Sequence, residues 1–272
     1  MSKRFFAFGC SYTKYSFATW ADYVGVNFDE YYNYGKGGVS NTYIMNKFIE
    51  ADAMFNFNSN DCVMVMVTGI GRFSYIPKST NSELIWKTPG DIYENYMATK
   101  DYFTLSFVEN MYSEDWSVYS SWIAVKTIKA LLDAKKVPHK FLMSIDNSNY
   151  LESDGTKWAI KDPIKLTHLT REIYDLLDVK ESLDEWMVRQ KFTKDDYVHW
   201  TAEKNRKDGH PTQKMHYNFI SEKFPELITS KSQEFYEEAE RIFISTKQHD
   251  QGSTFYNQLQ FRYDKSQLHR LI

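Results

Sequence analysis

Short apolar runs with no helical period alternate along the chain with segments whose apolar residues recur at helical spacing. The runs at residues 4–9, 30–34, 62–67 and 140–145 are five or six residues long and are followed by, or end at, glycine or polar residues. Residues 62–67 are apolar at every position, which is typical of a strand buried on both faces of a parallel sheet. The alternation therefore predicts βαβ units and an α/β fold with a parallel sheet.

The segments between and after these runs have the periodicity or the end signals of helices. They cover residues 12–26 (a loop and a helix), Ser40 or Asn41 to Phe55, 119–136, 171–177, 183–190 and 213–224. Ser40 and Asn41 are alternative caps of their helix, because either side chain can accept a hydrogen bond from a free backbone N–H. Pro211 precedes the last of these helices, where its missing N–H would have no partner in any case.

The domain is expected to occupy residues 1–227, with one insertion and one extension. Residues 73–118 are irregular, aromatic and polar, and we interpret them as a loop-rich insertion over the carboxyl ends of the strands, where α/β proteins place ligand sites. Residues 228–272 form a C-terminal extension in which Phe235 and Ala239 belong to an apolar helical face. This face needs a cover, so it docks either on its own domain or on another subunit. We expect a homo-oligomer or another assembly through this extension.

Composition and charge narrow the function classes. The net charge of −3 and the pI of about 6.2 give no sign of a nucleic-acid partner or of an anionic membrane surface. No apolar run reaches the roughly 18 residues of a spanning helix, and no signal peptide is recognisable, so we expect a cytoplasmic location. Cys10 and Cys62 are predicted at opposite ends of the sheet, too far apart for a disulfide, so both thiols should be free.

Three residues supply the parts of a nucleophilic triad. Ser11 stands in a turn directly after the first predicted strand, and Asp208 and His210 lie nearly two hundred residues later. A serine hydroxyl becomes a nucleophile when a base takes its proton, and a histidine with a pKa near neutrality is suited to this. Asp208 can accept the other imidazole N–H and stabilise the imidazolium. The pattern predicts attack of Ser11 on an ester carbonyl and an acyl-enzyme that water hydrolyses.

Such a reaction also needs fixed donors for the oxyanion. The backbone N–H of Ser11 is one candidate, and that of Gly38 is a second, because a glycine lets the substrate approach its amide. Asn41 and Arg72 are the candidate side-chain donors near the right strand ends. Each also has a purely structural interpretation, Asn41 as a helix cap and Arg72 as half of a surface ion pair.

At these residues the chain resembles the SGNH hydrolases, also called the GDSL lipase/esterase family. Gly9-Cys10-Ser11 matches the first family block, the stretch from Asn33 to Gly38 matches the second with its oxyanion glycine, and Asp208-Gly209-His210-Pro211 matches the last. The blocks occur in the family's order within residues 5–224. The resemblance implies a three-layer α/β/α, flavodoxin-like fold and ester hydrolysis without a cofactor.

Two positions depart from the family pattern. Cys10 stands where the family has an aspartate, and residues 68–72 lack the asparagine that supplies an oxyanion donor in the third block. Losing one such donor costs about 2.7–4 kcal/mol of transition-state stabilisation, which Arg72 or Asn41 would have to replace. The Cys10 thiol is an alternative nucleophile. The histidines His199, His210 and His216 match no familiar metal-binding pattern, so no metal site is expected.

The leading hypothesis is a serine esterase that acts on O-acyl esters of a small molecule or glycan, with carbohydrate O-acetyl groups as the favoured substrate. The high aromatic content, 17% of residues, suits stacking on sugar rings as well as a large core. The alternative keeps the fold without catalysis, as a structural or binding component of a virus particle or surface assembly. A third interpretation is acyl transfer to a sugar by the same triad.

Overall fold

The computed structural model describes residues 3–76, 86–91, 106–107, 110–151, 164–192 and 210–246. These residues form a four-stranded parallel sheet in the order β2-β1-β3-β6, with β1 Arg4–Phe8, β2 Glu30–Asn33, β3 Asp61–Val67 and β6 His139–Met143. This order is the start of the flavodoxin-like sequence of strands. It places the turns after β1, β3 and β6 at one edge of the sheet, beside one another.

Side chains of the central strand β1 alternate between two buried faces. Phe5 stacks on Tyr31 with ring centroids 5.5 Å apart, whereas Phe6 and Phe8 contact Phe57 on the other face at 4.5 and 6.5 Å. All three phenylalanines of the strand are fully buried. Because both faces exclude water, helices must cover both, which explains the continuous apolar runs in the sequence.

Seven helices in the described part of the chain form these two covers. They are α1 Trp20–Gly25, α2 Asn41–Phe55, α3 Glu114–Ala134, α4 Thr167–Leu176, α5 Leu183–Arg189, α6 Gln213–Lys223 and α7 Ser230–Thr246. The helices α2, α3 and α4 pack side by side in one layer, and α1, α5, α6 and α7 contact one another in the other. The predicted α/β class with three layers, α/β/α, is confirmed.

The outer edge of β6 is covered by the segment that leads into α5. The backbone N–H of Asp178 donates to Phe141 at 2.9 Å, and the Asp178 carboxylate accepts the N–H of Phe141 at 2.8 Å. Further along, the N–H of Asp184 donates to the carbonyl of Ser144 at 3.2 Å. This segment therefore takes the place of a fifth strand and brings the start of α5 to the carboxyl edge of the sheet.

A small antiparallel hairpin lies over the loop between β2 and α2. Its strands are β4 Arg72–Tyr75 and β5 Lys87–Asp91. The N–H of Gly90 donates to the carbonyl of Gly38 at 3.0 Å, and the Thr88 hydroxyl donates to Gly37 at 3.1 Å. Part of the segment expected to be an irregular insertion thus forms a hairpin beside the glycine-rich loop. Residues 77–85 and 92–105 of that insertion lie outside the described ranges.

The first part of the C-terminal extension packs on its own domain. Phe235, Ala239 and Ile242 of α7 are 2%, 0% and 3% exposed and belong to the main hydrophobic core. The Gln213 side-chain amide donates to the carbonyl of Ala239 at 2.9 Å, which ties α7 to α6. The sequence left two alternatives for this apolar face, its own domain or another subunit, and α7 packs on its own domain. Residues 247–272, and any assembly through them, lie outside the described ranges.

Helix α3 differs from its predicted bounds. It begins at Glu114, five residues before the predicted start, because the Ser113 side chain caps it by accepting the N–H of Trp116 at 3.1 Å. Glu114 and Asp115 occupy its first turn, where negative charge is favoured. The prediction of two free thiols is confirmed, with Cys10 beyond the end of β1 and Cys62 near the start of β3.

Candidate active site

In the turn after β1, Ser11 is 7% exposed and the residue before it is fully buried. The carbonyl of Cys10 accepts the N–H groups of Thr13 and Lys14 at 2.9 and 3.2 Å, which closes a tight turn. Gly9 is required here, since a Cβ at this position would stand 2.0 Å from the Thr13 hydroxyl. Cys10 is 0% exposed and packs in the core, so its thiol is removed from the site.

The structure brings Ser11 and His210 together from positions 199 residues apart. Nε2 of His210 lies 2.8 Å from the Ser11 hydroxyl, within hydrogen-bond distance. His210 lies just before α6, whose start is fixed by the Thr212 hydroxyl accepting the N–H of Met215 at 3.3 Å. Asp208, the predicted third member, lies outside the described residues.

Two tyrosines from the Ser11 turn hold the imidazole of His210. The ring of Tyr15 stacks on it with centroids 4.2 Å apart and an angle of 19° between the planes. The ring of Tyr12 meets it edge to face at 5.6 Å. These contacts restrict the rotation of the imidazole, so that Nε2 stays directed at Ser11. The sequence analysis did not single out either tyrosine, although both lie within four residues of Ser11.

Two predicted backbone donors lie in the Ser11 turn and in the glycine-rich loop. The N–H groups of Ser11 and Gly38 donate to no acceptor within the described ranges. A Cβ on Gly37 would lie 4.0 Å from Cβ of Ser11. Gly38 has a left-handed backbone with φ of 70°. The loop from Gly37 to Gly38 therefore runs beside Ser11, with its conformation set by glycine.

Asn41 has a structural role, which corrects its prediction as an oxyanion donor. Its side-chain amide donates to the carbonyl of Thr68 and to the Ser121 hydroxyl, both at 3.2 Å, and its carbonyl accepts the N–H of Thr68 at 2.9 Å. Both amide hydrogens are thus engaged, and the side chain is 2% exposed. Asn41 ties the start of α2 to the end of β3 and to α3. It is also not the helix cap, because Ser40 fills that position.

Arg72, at the start of β4, lies near the Ser11 turn. Its charge favours the ionised forms of Tyr12 and Asp184, so the guanidinium is close enough to act on both through its charge. One terminal nitrogen, Nη1, is buried and has no hydrogen-bond partner within the described ranges. No ion pair of Arg72 is found there either, so the surface ion pair considered from the sequence is not seen in these residues. A buried N–H donor without an acceptor is suited to binding a developing negative charge.

Asp184 is a charged residue of this site that the sequence analysis did not identify. Its carboxylate accepts the Tyr12 hydroxyl at 3.0 Å. Burial raises the pKa of Asp184 to about 6, while the Tyr12 hydrogen bond and the charges of Arg72 and His210 act in the opposite direction. Burial likewise raises the pKa of Tyr12, which therefore stays protonated and donates. Asp184 is followed by acidic and apolar helix residues in the sequence, so no local motif marks it.

A second histidine lies behind the site. His216 of α6 is 1% exposed, and its ring meets the edge of Tyr12 at 6.2 Å. Burial lowers the pKa of His216 to about 3, with a smaller contribution from His210. His216 is therefore neutral at physiological pH, and His210 is the histidine that contacts Ser11.

The described ranges hold no group of three or more His, Cys, Asp or Glu side chains placed to bind a metal ion. None of the helices described above combines the length and the apolar character needed to cross a membrane.

Comparisons with known proteins give one distant likeness. No protein-family profile matches the chain, and no curated protein matches it. A solved structure, described as a member of the lipolytic protein G-D-S-L family from Veillonella parvula DSM 2008, is similar over 82% of this chain and 96% of its own. The sequence identity is 12% and the TM-score is 0.36. At this TM-score the likeness supports no statement about function, which is inferred below from the side chains of this chain.

Proposed function

We propose that this protein is a serine ester hydrolase in which Ser11 is the nucleophile and His210 the base. The observation that carries the proposal is the 2.8 Å contact between Nε2 of His210 and the Ser11 hydroxyl. A serine in a tight turn, in contact with an imidazole, is the arrangement that nucleophilic catalysis requires. Asp208 would accept the second imidazole N–H, as the sequence predicts.

The reaction follows from these positions in two halves. The Ser11 oxygen forms a bond to the ester carbonyl carbon as its proton passes to Nε2 of His210. The carbon–oxygen bond to the alcohol then breaks, the alcohol leaves with that proton, and an acyl-Ser11 remains. Water enters, gives a proton to His210 and attacks the acyl carbon, after which Ser11 regains the proton and the carboxylic acid is released.

Three donors would stabilise the oxyanion in both halves. They are the N–H groups of Ser11 and Gly38 and the buried Nη1 of Arg72, which lack an acceptor within the described ranges. Arg72 would replace the side-chain donor that the sequence lacks at the third family block. A charged donor forms a stronger hydrogen bond to an oxyanion than a neutral amide does.

The proposed substrates are short O-acyl esters, with O-acetyl groups on carbohydrate as the favoured case. Tyr15, which is only partly buried, places an aromatic ring next to the catalytic pair, and a ring of this kind can contact the apolar face of a sugar. Acyl transfer to a sugar acceptor would use the same residues, with the acceptor hydroxyl in place of water.

A fluorophosphonate probe tests the catalytic pair directly. We expect stoichiometric labelling of Ser11 and hydrolysis of a short-chain aryl acetate, and loss of both in the Ser11→Ala and His210→Ala variants. Ser120→Ala is the control, because Ser120 lies on α3 and its hydroxyl, in the part of the chain that the structure describes, bonds only the carbonyl of Ser117. Folded wild-type protein that is neither labelled nor active would refute the proposal and favour the non-catalytic scaffold. Labelling at Cys10 instead would favour thiol chemistry.

The role of Arg72 has its own test. We expect Arg72→Ala to lower kcat on the order of 10²- to 10³-fold with a small change in KM, as for the loss of one oxyanion donor. Arg72→Lys should recover part of this loss, because it restores a positive charge without the planar guanidinium. Equal kcat in the wild type and Arg72→Ala would exclude Arg72 from the oxyanion hole.

A further inference from the structure

Asp184 joins the Ser11 turn to the end of the outer strand β6, at the same carboxyl edge of the sheet. Its backbone N–H donates to the carbonyl of Ser144, just beyond β6, at 3.2 Å, so the start of α5 is fixed at the carboxyl edge. Its carboxylate accepts the hydroxyl of Tyr12 at 3.0 Å. Tyr12 follows Ser11 directly in the chain. One hydrogen bond therefore restrains the backbone that carries the nucleophile.

The same hydrogen bond orients a ring that contacts the base. Tyr12 meets the imidazole of His210 edge to face, with centroids 5.6 Å apart. With its hydroxyl held by Asp184, the tyrosine ring cannot turn away from the imidazole. Ser11 and His210 are both restrained through this one side chain.

Charged and titratable groups face Asp184 from each of the neighbouring segments. They are Tyr12 from the Ser11 turn, Arg72 from β4, Asp146 from the loop after β6 and His210 from the segment before α6. The charges of Arg72 and His210 favour the ionised form of Asp184, whereas Asp146 opposes it. The Tyr12 hydroxyl donates a hydrogen bond to this carboxylate.

We propose that Asp184 is a positioning residue for the Ser11–His210 pair, which it restrains by holding the Tyr12 side chain in place. This inference rests on the proposed function. It adds a second carboxylate to the one that the sequence predicts at Asp208. The two would act differently, because Asp208 would bond the imidazole directly and Asp184 acts through the Tyr12 side chain.

Two variants separate the hydrogen bond from the charge. Asp184→Asn keeps an oxygen that accepts the Tyr12 hydroxyl but removes the charge. Tyr12→Phe keeps the ring and the charge but removes the hydrogen bond. Asp175→Asn is the matched control, because the Asp175 side chain is 72% exposed and pairs only with Lys180 in the described part of the chain.

The primary measurements are kcat and KM of the full-length protein on an aryl acetate and the rate of fluorophosphonate labelling at Ser11. We expect Tyr12→Phe to lower kcat and the labelling rate about threefold or more while KM stays within twofold, because the Ser11–His210 pair loses its alignment. Asp184→Asn should keep most of the wild-type rates, since its amide oxygen still accepts the Tyr12 hydroxyl. Asp175→Asn should match the wild type in all of these.

Rates in Asp184→Asn as low as those in Tyr12→Phe, or wild-type rates in Tyr12→Phe, would refute positioning through the hydrogen bond. If the wild-type protein were inactive and unlabelled, the proposed function would fail. The NMR signals of the His210 imidazole, assigned with His210→Ala, would then still test the positioning. They should shift in Tyr12→Phe, and signals equal to those of the wild type in that variant would refute it.

Discussion

At the scale of single residues, the loop beside Ser11 depends on a glycine at position 38. Its φ of 70° costs a residue with a side chain about 1–2 kcal/mol, and a Cβ would also meet the carbonyl oxygen of Thr88 at 2.5 Å. We therefore expect Gly38→Ala to lower the melting temperature and to reduce hydrolysis by displacing the loop. Gly37→Ala is the control for stability, because its Cβ would make only an ordinary 4.0 Å contact with Ser11. Equal melting temperatures for the two variants would contradict this account.

Asp184 should decrease stability at neutral pH. Burial raises its pKa to about 6 from an ordinary value of 3.8, so between these values the folded protein holds a proton that the unfolded chain has lost. Stability from this group is therefore present below about pH 4 and is lost as pH rises toward 6. A shift of this size corresponds to about 3 kcal/mol at pH 7 as an order of magnitude.

Asp184→Asn should consequently unfold at a higher temperature than the wild type at pH 7, and at a similar temperature at pH 4. Thermal unfolding at both pH values checks this. The difference between the two proteins removes the contribution of His216, which both contain. A residue that only held the fold together would show the reverse, a loss of stability on substitution at pH 7. A carboxylate that lowers stability at a catalytic site is consistent with a functional role.

The contact between Ser11 and His210 was predictable because a local sequence motif surrounds each residue. Ser11 and His210 each stand in a short stretch whose neighbours mark it, and the two stretches occur in an interpretable order. Asn41 was misassigned because its sequence position fits either a cap or a donor, and only the fold shows Thr68 and Ser121 occupying its amide. Asp184 lies 172 residues from Tyr12, so no pattern along the chain could have joined them.

At the scale of elements, the Asp178 side chain covers part of the outer edge of β6, together with the backbone of the segment that leads into α5. The Asp178 carboxylate accepts the N–H of Phe141 at 2.8 Å, and an exposed strand edge otherwise invites pairing with another chain. We expect Asp178→Ala to lower the free energy of unfolding by about 1–3 kcal/mol, since it leaves that N–H without its acceptor. The variant should also aggregate more readily on heating.

Asp178→Asn is the matched control, because its amide oxygen can still accept the same N–H. It loses only the partly exposed ion pair with Lys140, which is worth at most about 1 kcal/mol. Urea unfolding and light scattering on both variants measure the difference. Equal stability for the alanine and asparagine variants would show that the hydrogen bond does not support the edge.

The elements themselves were predictable to different degrees for a physical reason. Buried strands such as β3 can be recognised in the sequence, because burial on both faces favours an apolar residue at every position. The hairpin of β4 and β5 was missed because its strands are short and half-buried, and because proline and glycine interrupt β5. Its pairing depends on contacts with Gly37 and Gly38, which a sequence pattern does not contain.

At the scale of the whole molecule, helix α7 is connected to the Ser11 turn through a series of packed aromatic rings. Phe243 contacts Phe17 at 5.9 Å, Phe17 contacts Tyr15 at 4.9 Å, and Tyr15 stacks on His210 at 4.2 Å. The Ser232 hydroxyl also donates to the carbonyl of Tyr23 at 2.7 Å, which binds the start of α7 to α1. The C-terminal helix is therefore connected by packed rings to the base of the proposed reaction.

Two truncations separate this support from any role in assembly. A chain ending at Leu227 loses α7 and exposes the surface that buries Phe235 and Ile242, each worth about 1.5–3 kcal/mol when fully buried. It should melt at a lower temperature and bind more of a hydrophobic dye. It should also label more slowly at Ser11, because Phe17, which packs on Tyr15, loses its contact with Phe243. A chain ending at Thr246 keeps every contact of α7 named here, so its melting temperature and labelling rate should match the full chain.

Sedimentation velocity on both truncated chains measures their oligomeric states and shows which segment self-association needs. If the chain ending at Thr246 changes its oligomeric state, self-association depends on residues 247–272. Wild-type stability and labelling in the chain ending at Leu227 would show that α7 supports neither the fold nor the site.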